Sequence, residues 1–180
     1  MSFTLYDGTI VPLKSLLTTL SHILHQAEKL PNADTLLEAR LRDDMHPLPD
    51  QVRLATQFSE AIVARLTGRD PVMFENDLTS FERFYERIDS VLQSINGADK
   101  EVVNSRGDVA APTFLGPGKT VDMSAAVFVH SIALPNIYFH VVTAYGILRK
   151  EGVPLGKGDY YLGFFPQTTR ELGVDGGSSE

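Results

Sequence analysis

The stretch Leu13-Lys14-Ser15-Leu16-Leu17-Thr18-Thr19-Leu20-Ser21-His22-Ile23-Leu24-His25-Gln26-Ala27 decides the fold class. Its apolar residues, Leu13, Leu16, Leu17, Leu20, Ile23, Leu24 and Ala27, recur three and four apart, which lays them along one face of an α-helix. A strong amphipathic helix is predicted over residues 9–29. Pro12 lies near its start, where a missing N–H does least harm, or it kinks a slightly longer helix. Pro31-Asn32 ends it.

The same logic recurs along the chain. Asp34 is placed to cap a short helix reaching Leu41. After the turn-rich Asp43-Asp44-Met45-His46-Pro47-Leu48-Pro49, the residues Val52, Ala55, Phe58, Ile62 and Leu66 form one apolar stripe that Gly68 stops. Residues 79–96 repeat it with Phe81, Phe84, Ile88, Val91, Leu92 and Ile95, and Gly97 closes that helix. Residues 102–123 are punctuated by Gly107, Pro112, Gly116, Pro117 and Gly118, and residues 114–121 read as a small hairpin. Asp122 or Ser124 then caps the most apolar helix, which runs to about Lys150, with Arg149 and Lys150 complementing its dipole and Gly152 at its exit. Pro135 predicts a kink near residues 131–135. This helix is apolar nearly all round, in Val127-Phe128-Val129 and Ile137-Tyr138-Phe139, so it belongs in the centre or at a subunit interface, and a homodimer is one expectation. Four long helices predict an all-α bundle in a single domain over residues 1–163, followed by a flexible tail over residues 164–180.

Composition narrows the function classes. At 180 residues, with 43% hydrophobic and 22% charged residues, the chain suits one ordinary globular domain. A formal net charge of −7 repels phosphate backbones, and no basic stripe is present, which argues against nucleic-acid binding. No apolar run in the sequence approaches the roughly 18–20 residues that span a bilayer, so no membrane association is expected. The first seven residues carry neither a basic region nor an apolar one, and secretion is not signalled. Zero Cys removes disulfides, thiolate nucleophiles and sulfur-ligated zinc, and a cytoplasmic protein is expected. Dinucleotide-binding, P-loop, zinc-protease and serine-hydrolase signatures are absent, and no cofactor is predicted. Gly116-Pro117-Gly118-Lys119-Thr120 lacks the strand–loop–helix context of a phosphate loop and reads as a turn.

Histidine is the residue type that carries candidate chemistry. His22 and His25 share one face of the first helix but sit among Thr18, Ser21 and Gln26, and they read as a solvated surface. His140 lies in the middle of the least polar helix, and Asn136, one turn earlier, points the same way. A polar pair on a buried face must be hydrogen-bonded or it costs roughly 1–3 kcal/mol. Two readings stay open: a satisfied core network including Tyr145, or a pocket where a neutral imidazole works as a general base. His130 lies ten residues earlier, roughly 80° off the face of His140 in an unbroken α-helix, and a kink would bring it nearer. His46 stands beside Asp43 and Asp44 at a helix entry, where a carboxylate serves either function or the following turn.

Three blocks together resemble a known family. They are Ala39-Arg40-Leu41-x-x-Asp44-Met45-x-Pro47-Leu48-x-x-Gln51-Val52, Leu134-Pro135-Asn136-x-Tyr138-Phe139-His140-Val141-x-Thr143-Ala144-Tyr145-x-Ile147-Leu148-Arg149, and Gly152-Val153-Pro154-Leu155-Gly156-Lys157-x-Asp159. Over about residues 5–163 the chain is similar to a domain-of-unknown-function family of bacteria and fungi, grouped with the DinB-like four-helix bundles. The resemblance implies an up-down-down-up bundle with a long connection before the last helix. DinB-like relatives hold a divalent metal with three His, one on helix two and an H-x-x-x-H pair on helix four, and include thiol-dependent transferases and isomerases. The matching positions here are Gln51, Asn136 and His140, so one imidazole of three remains. Neutral amides are weak ligands for zinc or nickel.

The resemblance therefore implies the family's cavity without its metal. The leading expectation is a metal-independent isomerase or cyclase of secondary metabolism acting on a small hydrophobic molecule such as a polyketide or terpenoid. His140 would be the acid/base, oriented by Asn136, with Asp44 and His46 as further catalytic groups and Gln51, Tyr145 and His130 lining the substrate. The alternatives are a divalent-metal-dependent transferase with a rearranged His140, His46 and Asp44 site, and a non-catalytic binding or dimerisation module.

Overall fold

The computed structural model describes residues 2–165. Helix α1 (Leu5–Glu28) begins four residues before the stripe suggests, because Thr4 and Asp7 form a reciprocal capping box in which the Asp7 carboxylate accepts from the Thr4 amide at 3.1 Å. Pro12 is thereby inside the helix. The expected short second helix is a 3₁₀ segment (Ala33–Glu38) led by Asn32, and Asp34 does not cap it. Helix α2 (Leu48–Thr67) ends at Gly68, whose φ of 75° is the left-handed geometry that an exit of this kind requires. Helix α3 (Phe81–Asn96) is capped by Ser80, and Asp99 caps the short α4 (Lys100–Ser105). The last long helix comprises α5 (Ala125–Phe128), a π-turn (Val129–Ala133) and α6 (Leu134–Lys150), and α7 (Lys157–Tyr161) follows.

The four long helices run up, down, down, up. Tyr85 near the start of α3 donates to Glu28 at the end of α1 at 2.9 Å, and Lys100 just past α3 pairs with Asp7 at the start of α1 at 2.8 Å, so α1 and α3 are antiparallel. Gly107 sits against both Leu5 and Ala126, which puts the starts of α1 and α5 side by side. Helix α6 packs between α1 and α2, and α3 closes the opposite side. The stripe quoted at the outset, Leu13 through Ala27, is wholly buried, as are Leu48, Ile62, Phe84 and Ile147. The expected all-α four-helix bundle is the fold.

The insertion before the last helix is a two-stranded hairpin, β1 (Ala110–Phe114) and β2 (Thr120–Ser124), registered from Ala110 opposite Ser124 to Phe114 opposite Thr120. Residues 114–121, where the hairpin was expected, supply its turn: Gly116 and Gly118 have φ of 126° and 71°. Arg65 on α2 anchors the hairpin by donating to Thr113 Oγ1 at 2.8 Å and to the carbonyls of Ala111 and Met123.

Residues 125–150 form the one helix, among the described residues, long and apolar enough to cross a bilayer; its best 18-residue window has a mean hydropathy of 1.5. That corrects the expectation that no run reaches this length. In the fold its inner face packs in the core, and 39% of that window is buried.

The C-terminal segment docks on α1. Thr19 Oγ1 donates to the Tyr160 carbonyl at 2.8 Å and accepts from the Gly163 amide at 3.3 Å. His22 pairs with Asp159 at 2.8 Å, so it is a docking residue rather than a merely solvated one, and His25 stacks on Tyr85 with ring centres 4.0 Å apart. Residues 166–180 of the expected tail lie outside the described residues. A Cβ on Gly163 would collide with the Ser15 carbonyl and come within 2.7 Å of Thr19 Oγ1. Gly163→Ala is therefore expected to lose about 1–3 kcal/mol in urea denaturation. Gly158→Ala, which meets no neighbour, should stay within about 0.5 kcal/mol of the parent.

Candidate functional site

Proline lacks the N–H that an α-helix needs and clashes with the preceding turn. Ahead of Pro135 the chain answers by widening into the π-turn at Val129–Ala133. The Asn136 side chain then donates to the Ile132 carbonyl at 2.7 Å, within its own helix. Asn136 therefore serves the widened turn and does not orient His140. The π-turn also inserts about one residue of phase, roughly 100°, which turns the 80° between His130 and His140 into about 180°. His130 is accordingly exposed beside Gly8 of α1, away from His140.

His140 and Gln51 meet between α6 and α2. The His140 Nδ1 lies 2.8 Å from Gln51 Oε1, with the two residues 7% and 1% exposed. Gln51 Nε2 donates to the His46 carbonyl at 2.9 Å, which orients the amide and leaves Oε1 for His140. An amide oxygen only accepts, so Nδ1 carries the proton and Nε2 holds the lone pair. That nitrogen has no hydrogen-bond partner among the described residues. Phe139 meets the imidazole edge-on at 5.4 Å.

Burial is the main reason that the His140 pKa falls to about 4, and the charges of His46 and Arg53 push the same way while Asp50 opposes them. His46 itself is exposed, with Nδ1 3.1 Å from Asp50 Oδ2, and Arg53 donates to Asp50 Oδ1 at 2.9 Å. Asp50 and Arg53 were not singled out in the sequence, although His46, Asp50 and Arg53 share one face at i, i+4 and i+7.

The remaining candidates sit elsewhere. Asp44 is exposed in the turn before α2 and lines a shallow depression of about 290 Å³ with Leu41, Arg42 and Asp43. Tyr145 is roughly 140° around α6 from His140 and lines a cavity of about 190 Å³ with Val142, Lys157 and Tyr160. Neither cavity reaches His140.

The donor set does not fit the divalent metal of DinB-like relatives. Of the three matching positions, Gln51 is hydrogen-bonded to His140, Asn136 to a backbone carbonyl, and only one imidazole is left. Among the described residues no group of three His, Asp or Glu is placed to hold a metal ion. His140, His46 and Asp44 do not assemble one either, since His46 pairs with Asp50 and Asp44 faces solvent.

A histidine that protonates near 4 when folded and near 6.5 when unfolded makes the unfolded chain the better proton acceptor as pH falls. Its contribution is fully present above about pH 6.5 and is lost on acidification toward 4, on the order of 2 kcal/mol between pH 7 and pH 5. His140→Leu should cost about 1–3 kcal/mol at pH 7 by orphaning Gln51. Its urea-denaturation stability should then fall less from pH 7 to 5 than that of the parent, by about 2 kcal/mol; equal slopes would contradict a neutral buried His140.

The sequence profile of the family described as Domain of unknown function (DUF1993) matches residues 5–161. A crystal structure of a DinB family member protein from Shewanella denitrificans is 34% identical, with a TM-score of 0.78, over 87% of this chain and 90% of that one. None of the curated proteins matches the chain. The chain belongs to the family described as Domain of unknown function (DUF1993), within the DinB-like superfamily of four-helix bundles.

Proposed function

We propose that this chain handles a small hydrophobic molecule without a metal, with His140 Nε2 as the proton acceptor in an isomerase- or cyclase-type proton transfer. The observation that carries the reading is a neutral imidazole whose Nδ1 is tied to Gln51 while its Nε2 lone pair is unengaged. In such a step Nε2 would take a proton from the substrate. The imidazolium would be supported through Nδ1–H by Gln51 Oε1 and by the nearby Asp50 carboxylate, and the proton would return at another atom. An imidazole held neutral by burial is available as a base, and a carbon acid activated by a carbonyl suits it better than an unactivated hydrocarbon, which favours a polyketide-like substrate over a terpenoid. Arg53 is a permanent cation bearing on the same site.

A second reading, a non-catalytic binding module, is favoured by the absence of His140 from the lining of either cavity described above. Chemical modification separates the two. Diethylpyrocarbonate attacks unprotonated imidazole, and at pH 5 an ordinary histidine is mostly protonated. If His140 Nε2 is a reachable base, peptide mapping by mass spectrometry after treatment at pH 5 should find His140 modified ahead of the other four histidines. If His140 stays unmodified in the folded protein and reacts only after unfolding, the imidazole is sealed and the acid–base reading falls.

A further inference from the structure

Residues 40–47 form a closed loop between the 3₁₀ segment and α2. Its neck is shut by the Leu48 amide, which donates to the Ala39 carbonyl at 2.9 Å, and within it the Met45 amide donates to the Arg42 carbonyl at 3.0 Å. A compact loop with its ends joined in this way is an Ω-loop, a form that recurs at functional surfaces. Three contacts tether it to the long helices. Lys150 Nζ donates to the Arg40 carbonyl at 2.8 Å, Leu41 rests on Gly146 within 3.6 Å of where a Cβ would stand, and Gln51 Nε2 donates to the His46 carbonyl. The outer side of the loop is open. Arg42, Asp43, Asp44 and His46 are exposed, and the first three line the depression of about 290 Å³ with Leu41.

The Gln51 tether reaches the imidazole. On the acid–base reading of His140, we propose that this loop is a gate whose position sets which ring nitrogen carries the proton, with Gln51 as the positioning residue between them. The His46 carbonyl can only accept, so while the loop is down it takes Gln51 Nε2 and leaves Oε1 for His140. The ring is then held as Nδ1–H, with a lone pair on Nε2. When the loop lifts, Gln51 loses the contact that fixes its amide. A half-turn of the amide then presents Nε2–H to His140 Nδ1 in place of the oxygen. Nδ1 becomes the acceptor: its proton passes to water, one returns from water at Nε2, and the ring stays neutral. In that state the ring has no lone pair on Nε2 with which to take a proton from substrate. Asn136 cannot hold the ring in place of Gln51, because its own amide is committed to the Ile132 carbonyl. Closure of the loop thus makes the base, and opening idles it.

Nitrogen-15 NMR of the histidine rings of the full chain at pH 7 reads the tautomer, and amide hydrogen exchange over residues 40–48 reads the loop. The parent should show His140 in a single Nδ1–H form. Leu41→Ala/Lys150→Met removes two tethers and alters neither Gln51 nor His140. It should exchange about fivefold faster or more across the loop and show a second, Nε2–H population of His140, with an unchanged helical circular dichroism spectrum. Lys150→Met alone, at the exposed end of α6, should move both readouts the same way by less, and it carries the test if the double variant does not fold. A loosened loop with His140 still wholly Nδ1–H would overturn the coupling and leave the base reading standing. Exchange unchanged from the parent would overturn the gate, since these tethers would not be what holds it. A parent found in the Nε2–H form would sink the base reading together with the gate.

Discussion

A glutamine and a histidine that face each other in the dry seam between α2 and α6 must satisfy one another, and much of the site follows from that requirement. Gln51 has one amide oxygen and one amide nitrogen to place, and the His46 carbonyl takes the nitrogen. The oxygen is then committed to His140 Nδ1, and the tautomer of His140 is decided by a turn that precedes α2. Each member of this chain of contacts would be an expensive orphan alone. The pair thus ties the register of α2 against α6 to the conformation of the loop that feeds α2.

The same arrangement accounts for the residues that stand where the resemblance implies three imidazole ligands. Replacing two of the three ligands with amides does not leave a hole lined with unsatisfied donors. One amide closes onto the remaining imidazole and the other turns back on its own helix at Ile132. The imidazole itself is largely buried, and the charges of His46, Asp50 and Arg53 bear on it.

The bundle was legible in the sequence because burial repeats every three or four residues in α1, α2 and α3, and every residue of the first stripe is in the core. Partnerships between helices were less so. Nothing local in the chain says that Gln51 meets His140, 89 positions away; the family resemblance put both at ligand positions, and the structure puts them in contact. His130 misled because its phase was counted as if the helix were regular, and the compensation for Pro135 moved it to the far side. Tyr145 is expected in a network with His140, yet counting around α6 separates the two by roughly 140°. Asp44 is exposed in the turn before α2, and Asp50, in the first turn of the helix, is the carboxylate that bears on the site. The docking of α7 was invisible because it rests on backbone groups of Tyr160 and Gly163 and on the His22–Asp159 pair across 137 residues.

The π-turn at Val129–Ala133 acts as a phase adjuster in an otherwise continuous helix. Upstream of it Ala125 and Phe128 face the core; downstream, the extra residue has rotated the wheel so that Ile137, His140 and Val141 do. Loss of one residue from this turn, with Pro135 replaced as well, would let the helix run as a plain α-helix. It would swing everything beyond it by about 100°. His140 would leave Gln51, and the apolar outer stripe would change places with part of the core-facing one. Insertions and deletions are ordinarily tolerated in loops, and here a position sensitive to a change of length lies in the middle of a helix. The turn is in effect a counted spacer, and the location of His140 depends on the count.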